Sequence, residues 1–279
     1  DFVNNSLECF YNIFKIIKTE NFDNIDDPIE KLYWLLEDTK RYGTLPFAGL
    51  ARAGFIAIQL LQSLVSIGIL SDQDYQNFMS SITTVSSELK NDKKQLSKDD
   101  FLLKYGHLRP GTYDILSARY DEDPDLYFDW ENNTKNEFGQ REFSLKLNQM
   151  RAIENLLIEN KLEPDPIALF DFIQSAIELR ELAKFYFTQN LSDALLMMEM
   201  IGKDYGFSRN DISFSNIKVF YEIYTSAIDV KNKLLMSIEE GKKDFQITKH
   251  LSMPPLISET KSLWSFIWPN SEPNFITQS

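Results

Sequence analysis

Apolar residues recur along most of the chain at the three- and four-residue spacing of amphipathic α-helices. The clearest runs follow helix-start signals, in which a capping residue precedes a proline or an acidic residue. No segment before Leu251 alternates apolar and polar residues as a half-buried strand would. The pattern therefore predicts an all-α fold of many helices, with starts at Asp27-Pro28, Ser71-x-x-Asp74, Ser97-x-x-Asp100 and Asp165-Pro166.

The predicted helices form an early and a late group. In the early group, the helix that starts at Pro28 stops at Gly43, and Thr44 caps a second helix that runs to Gly68. The helix that follows Ser71 is predicted to extend to Val85. The late group comprises helices over about 141–161, 165–190, 191–205, 214–224 and 228–246.

An irregular region separates the two groups. Glycine and proline punctuate the loop Tyr105–Arg119, and the segment 121–131 after it holds six carboxylates and no base. We predict two helical lobes joined by this irregular loop, with an extended C-terminal connector in which Trp264 and Trp268 pack back on the body. The predicted boundaries are 1–120 for the first lobe, 121–140 for an acidic linker, 141–250 for the second lobe and 251–279 for a connector toward a missing C-terminal domain.

Composition excludes several classes of function. The 279 residues include 29 bases and 42 acids, so the net charge is −13 and the predicted pI is about 4.7. This balance argues against nucleic-acid partners and anionic membrane surfaces, both of which attract clustered bases. Cys9 is the single cysteine and His107 and His250 are the two histidines, which leaves little for disulfide, zinc or triad chemistry. With no secretory signal recognised at Asp1, a cytoplasmic location is predicted, and both ends are typical of a piece cut from a longer polypeptide.

Residues Ala48 to Leu70 are apolar on almost every side, a pattern typical of a membrane span or of a buried central helix. Arg52, Gln59 and Gln62 interrupt the run, and no positively charged flank follows it. The buried helix is the favoured interpretation, and no membrane partner is predicted.

The acidic segment matches part of a calcium-binding loop. Asp121, Asp123 and Asp125 stand at its first three ligand positions, but the sixth residue is Leu126 where glycine is needed and the twelfth is Asn132 where glutamate is needed. A solvated linker fits better, and no metal site is predicted.

One helix face carries candidate binding residues. Ile173, Ile177, Arg180 and Lys184 stand at i, i+4, i+7 and i+11, which places them within about 40° of one face of a helix. Two bases four residues apart repel each other unless they share an anion. They indicate either ion pairs with acids of a neighbouring helix or a semi-buried cradle for phosphate or carboxylate.

Three segments resemble phosphoenolpyruvate synthase-like proteins, a group that includes the rifampicin phosphotransferases. The first is Lys104-Tyr105-Gly106-His107-Leu108-Arg109-Pro110-Gly111-Thr112-Tyr113-Asp114, continued by Ser117-Ala118-Arg119-Tyr120 and Asp123-Pro124. The others are Gly43-Thr44-Leu45-Pro46-Phe47-Ala48 with Arg52, and Arg180-Glu181 with Lys184-Phe185. The sequence departs from the group at Ala118, where proline is usual, and at Ala183, where some members have proline.

Members of that group join an ATP-grasp-like nucleotide domain, a helical middle domain and a swivelling phosphohistidine domain. The resemblance implies that this chain is the helical middle domain, which binds the acceptor or acts as a spacer in an ATP-dependent phosphotransferase. It also implies that Arg180 and Lys184 lie near the acceptor and the transferred phosphoryl group. His107, Arg109, Asp114 and Arg119 are implied to shape the loop, in a structural or inter-domain role.

The same resemblance defines the expected cofactors and partners. ATP and Mg²⁺ are implied for the parent protein and none for this chain, which lacks the Gly-Gly…Ser-His phosphohistidine segment and should be inactive alone. The implied partners are the two flanking domains and a small-molecule acceptor. The alternative is a non-catalytic helical interaction scaffold.

Overall fold

The computed structural model describes residues 25–130, 143–226, 229–254 and 256–265. Every regular element within these ranges is helical, which confirms the all-α prediction. A π-helical segment, Thr39–Thr44, joins the first two helices, and a 3-10 turn lies at Thr260–Leu263. The α-helices are α1 (Pro28–Asp38), α2 (Leu45–Ser66), α3 (Asp72–Ser81), α4 (Val85–Gln95), α5 (Lys98–Tyr105), α6 (Pro124–Tyr127), α7 (Leu147–Glu159), α8 (Pro166–Asp204), α9 (Arg209–Ile212), α10 (Ile217–Thr225) and α11 (Val230–Thr248).

The four predicted helix starts are confirmed, because each depends on contacts between chain neighbours. The side chain of Asp27 accepts a hydrogen bond from the backbone of α1, and Ser97 does the same for α5. Ser71 and Asp74 cap each other's backbone at the start of α3. Asp165 accepts two backbone N–H groups at the start of α8.

The predicted stop at Gly43 and cap at Thr44 are wrong. The chain continues through the π-helical segment into α2, and Thr44 has helical dihedral angles and no capping bond. Gly43 serves close packing instead of termination, since a Cβ atom there would lie 2.8 Å from the Cβ atom of Phe187 on α8.

Two other helix boundaries differ from the prediction. The helix after Ser71 ends at Ser81, because Thr84 and Ser87 form a capping box that starts α4. The predicted break at residues 190–191 is absent, and α8 runs without interruption for 39 residues. No glycine or proline occurs between Pro166 and Gly202 to end it.

The helix α8 passes through two hydrophobic cores. Its N-terminal half packs with α2, α3 and α7, and its C-terminal half packs with α1, α10 and α11. Each core therefore takes helices from both sides of the predicted linker, so the predicted division into lobes 1–120 and 141–250 is not the division of the cores. The reason is the length of α8, which gives both groups of helices one shared surface.

The described part of the acidic linker, 121–130, is folded, but its acidic residues are exposed, as the prediction of a solvated linker requires. The rings of Phe128 and Trp130 pack on Phe101 of α5, and the hydroxyl of Tyr127 donates to the carbonyl of Ala118 at 2.9 Å. Residues 131–140 of that prediction lie outside the described residues.

The C-terminal connector is partly as predicted. Residues 251–254 have no regular structure, but Trp264 is 85% exposed, so its predicted packing on the body is wrong. Trp268 lies outside the described residues.

One described helical run, Pro28–Ser66, is long and apolar enough to cross a membrane by length and composition. Within α2, burial is restricted to Gly54, Ala57, Leu61 and Leu64, so the predicted buried central helix is buried on one face only. Phe55 and Ile56 on the opposite side are exposed.

Candidate functional site

The loop between α5 and α6 is held on α8 by a buried guanidinium. Arg109 is 5% exposed. Its Nε donates to the hydroxyl of Ser192 at 3.2 Å, and its terminal nitrogens reach the carbonyl oxygens of Asp114, Ser117 and Ser192 at 3.1–3.4 Å. Burial lowers the pKa of Arg109, although an arginine stays protonated in a protein. The loop is thus built around a buried cation whose hydrogen-bond acceptors are mainly backbone carbonyls.

A second arginine links the end of the loop to the same helix. Arg119 binds both carboxylate oxygens of Asp121, at 2.9 and 2.6 Å, and one oxygen of Asp193 at 2.6 Å. Burial opposes its charge, but these hydrogen bonds outweigh burial and raise the pKa of Arg119. The pairing also occupies Asp121, one of the residues that matched a calcium loop.

Asp114 acts locally. Its side chain is exposed and accepts the backbone N–H of Leu116 at 2.9 Å, which closes a turn at the tip of the loop. The turn leaves Tyr113 and Leu116 exposed to solvent.

His107 lies beneath the loop with its ring against that of Phe185. Its Nε2 is 3.2 Å from the carbonyl oxygen of Phe185. Because a carbonyl only accepts, the neutral ring must carry its proton on Nε2. Burial lowers the pKa of His107 below its usual value, which favours this neutral form.

This burial predicts a pH dependence of stability. Since the pKa of His107 is lower in the folded state, the unfolded state binds the proton more readily, and stability is lost as pH falls below about 6.5. In the wild type, His107 should make the free energy of unfolding fall by at most about 1.4 kcal/mol per pH unit in this range. We expect His107→Gln, whose amide can still donate to Phe185, to remove this pH dependence. Urea titrations between pH 7.5 and pH 5 measure this difference from the wild type. His250→Gln, at an exposed position, is the control, and an unchanged slope in His107→Gln would contradict the assignment.

The two candidate anion ligands lie on α8 beside α2. Ile173 and Ile177 of the predicted stripe are buried, and the stripe reaches the surface at Arg180, whose side chain is 31% exposed. The guanidinium lies over the ring of Phe55, 5.9 Å from its centroid, and donates to Glu181 at 2.9 Å. Lys184 is exposed and forms no ion pair with a described residue. The ion pairs with a neighbouring helix, one of the two interpretations, are therefore not found among the described residues.

Gly54 of α2 determines how closely Arg180 can approach. A Cβ atom at Gly54 would lie 3.0 Å from Cδ of Arg180 and 3.5 Å from the carbonyl oxygen of Ala176. The absence of a side chain at Gly54 lets the stem of Arg180 lie flat across α2, with its head over Phe55.

Sequence reasoning missed the residues of α8 that receive the loop. Ser192 and Asp193 bind Arg109 and Arg119, and Thr188 is also buried. A signal was present: Phe185, Thr188 and Ser192 share one helix face at three- and four-residue spacing, and small polar residues on a buried face require polar partners. Thr188 donates to carbonyls of its own helix, but the partners of Ser192 and Asp193 could not be named because they lie 83 and 74 residues earlier in the chain.

No protein-family model, curated protein or solved structure was found to match the chain. Within the described ranges, no three histidine, cysteine, aspartate or glutamate side chains come together as a metal site.

Proposed function

We propose that the chain is the helical middle domain of a phosphoenolpyruvate synthase-like phosphotransferase, and that Arg180 and Lys184 bind the phosphoryl group or an anionic acceptor. The observation that carries this proposal is the 3.2 Å contact between His107 Nε2 and the carbonyl oxygen of Phe185. It joins two segments that carry the resemblance and lie 78 residues apart. The contact therefore brings the loop motif next to Phe185, the chain neighbour of Lys184.

The residue types suit the chemistry. A phosphoryl group in transfer spreads negative charge over its oxygens, and cations fixed in place stabilise that charge. Arg180 is fixed by Phe55, Glu181 and the backbone of α2, so its remaining N–H groups have a defined direction. Lys184, one helical turn away, is exposed and forms no ion pair with the residues that the structure describes. The chain has a net charge of −13, and the two cations Arg180 and Lys184 form a site of locally positive charge that can attract an anion.

The roles of the other predicted residues follow from their contacts. His107, Arg109 and Arg119 brace the loop against α8, and Asp114 shapes its tip. They would act by holding α8 and the loop in register, while the parent protein's flanking domains supply ATP, Mg²⁺ and the phosphohistidine. On this proposal the acceptor contacts α8 and α2, and the parent is cytoplasmic.

Charge reversal tests the proposal. We expect Arg180→Glu with Lys184→Glu to lower ATP-dependent turnover of the parent polypeptide by at least about 100-fold, with an unchanged circular dichroism spectrum and Tm. The control pair is Arg151→Glu with Lys218→Glu, two exposed cations without ion pairs to described residues. Turnover unaffected by the first pair, or lowered equally by both, would refute the assignment.

One observation favours the alternative of a non-catalytic interaction scaffold. The braced loop presents Tyr113, which is 70% exposed, and Leu116, and rigid exposed aromatic residues are typical of binding hot spots. A scaffold would keep its partners after charge reversal at Arg180 and Lys184 and lose them after Tyr113→Ala. The two outcomes are opposite, so one set of variants separates the two functions.

A further inference from the structure

A groove that plays no part in the proposed phosphoryl site lies between α3, the segment before α7 and the start of α8. Its volume is about 280 Å³, which is close to the lower end for small-molecule pockets. Phe78 and Phe170 form the floor and are almost fully buried, and Phe143 forms a wall. The three rings contact one another at centroid distances of 5.0–5.5 Å, so the apolar part of the groove is preformed.

The polar groups of the groove present acceptors. The carboxylate of Asp171 is exposed at its edge and forms no ion pair with a described residue. The amide nitrogen of Gln174 donates to Glu178 at 2.9 Å, which leaves its amide oxygen to accept. The hydroxyl of Ser81 donates to the carbonyl of Phe78 at 2.7 Å, so its lone pairs also remain for a donor. A ligand here must therefore bring hydrogen-bond donors.

Charge selects among such ligands. None of the described residues that line the groove is a base. The pKa of Asp74 is lowered mainly by its hydrogen bonds with Ser71, and the charge of Lys146, the nearest lysine in sequence to the groove, adds a smaller part. On α8, Asp171, Gln174 and Glu178 stand at i, i+3 and i+7, so both acids lie on the same edge of the helix. Aromatic walls attract cations as well.

We propose that this groove binds a small primary ammonium compound with an aromatic or branched apolar body. The ammonium group lies at Asp171 and Gln174, and the body lies on Phe78, Phe143 and Phe170. The site is separate from Arg180 and Lys184, and the inference does not depend on the proposed phosphotransferase function.

Three probes of one shape test the proposal on the chain as it exists: 2-phenylethylamine, neutral 2-phenylethanol and anionic 3-phenylpropionate. Calorimetry or ligand-observed NMR at low salt measures the binding of each. We expect one saturable site for the amine, an affinity for the alcohol that is lower by about threefold to tenfold, as expected for one partly exposed ion pair, and no binding of the acid. Equal binding of amine and alcohol, or no saturable binding of the amine, would overturn the proposal.

Variants locate the site. Asp171→Asn should reduce the affinity for the amine to that for the alcohol and leave the alcohol unchanged. Ser144→Phe, a substitution at an exposed position on the groove, should fill it and abolish binding of both. The control is Asp204→Asn, which removes an exposed acid at the other end of α8. If Asp204→Asn weakens the amine as much as Asp171→Asn does, the amine is responding only to overall charge and the site is refuted.

Discussion

Replacing Arg109 by alanine is expected to lower the free energy of unfolding by about 3 kcal/mol. The guanidinium is buried and donates to one hydroxyl and three backbone carbonyls. Hydrogen bonds to a charged group contribute about 1.5–3 kcal/mol, and truncation also leaves a cavity. The bonds are partly long and share one side chain, so their contributions do not add in full. Urea unfolding followed by circular dichroism measures the change.

The loop itself provides a second readout. In Arg109→Ala the loop loses the hydrogen bonds that hold it on α8. Chymotrypsin should therefore cleave the segment that contains Tyr113 and Leu116 under native conditions much faster than in the wild type. The control is Arg151→Ala on α7, an exposed arginine whose loss should change stability by less than about 0.5 kcal/mol. Equal effects of the two variants on stability would mean that the buried hydrogen bonds of Arg109 do not hold the loop.

The same glycine-to-alanine change is expected to have opposite effects at two positions. A Cβ atom at Gly241 of α11 would overlap the carbonyl oxygen of Phe214 and lie 2.9 Å from its carbonyl carbon. Backbone atoms cannot move aside as a flexible side chain can, so Gly241→Ala should destabilise the fold by about 3 kcal/mol. Gly49 of α2 has no neighbour within 4 Å, so Gly49→Ala should stabilise by about 0.5–1 kcal/mol through helix propensity.

Thermal and urea unfolding of both variants checks this prediction, and Gly49→Ala is the matched control because the chemical change is identical. The crossing of α11 over the turn at Phe214 would be wrong if Gly241→Ala were neutral or stabilising. A neutral Gly49→Ala would leave that conclusion intact but would show that the exposed face of α2 has a contact at this position.

Local signals explain how much of the fold the sequence could predict. The starts of α1, α3, α5 and α8 depend on a capping side chain within three residues of its acceptor, and all four were predictable. Gly43 was misinterpreted because a glycine that ends a helix and a glycine that admits a neighbouring ring look the same in sequence. The difference lies in Phe187, 144 positions away.

The candidate site was predictable in its residue types and not in its contacts. The stripe that ends in Arg180 and Lys184 follows from helical spacing alone, and Arg180 is indeed where that stripe meets the surface. That Arg180 would lie over Phe55 and pair with Glu181 depends on the close approach of α2 at Gly54. The roles of Arg109 and Arg119 as internal braces likewise depend on Ser192 and Asp193, which only the folded chain brings near.

The central claim is that Arg180 and Lys184 form an anion site on α8, and titration of the chain with inorganic phosphate at low ionic strength tests it most directly. Calorimetry should show one saturable site per chain, despite the net charge of −13. Arg180→Gln and Lys184→Gln should each weaken phosphate binding by about tenfold, whereas Arg151→Gln and Lys218→Gln should leave it unchanged. Absence of a saturable site, or equal losses in all four variants, would contradict the account.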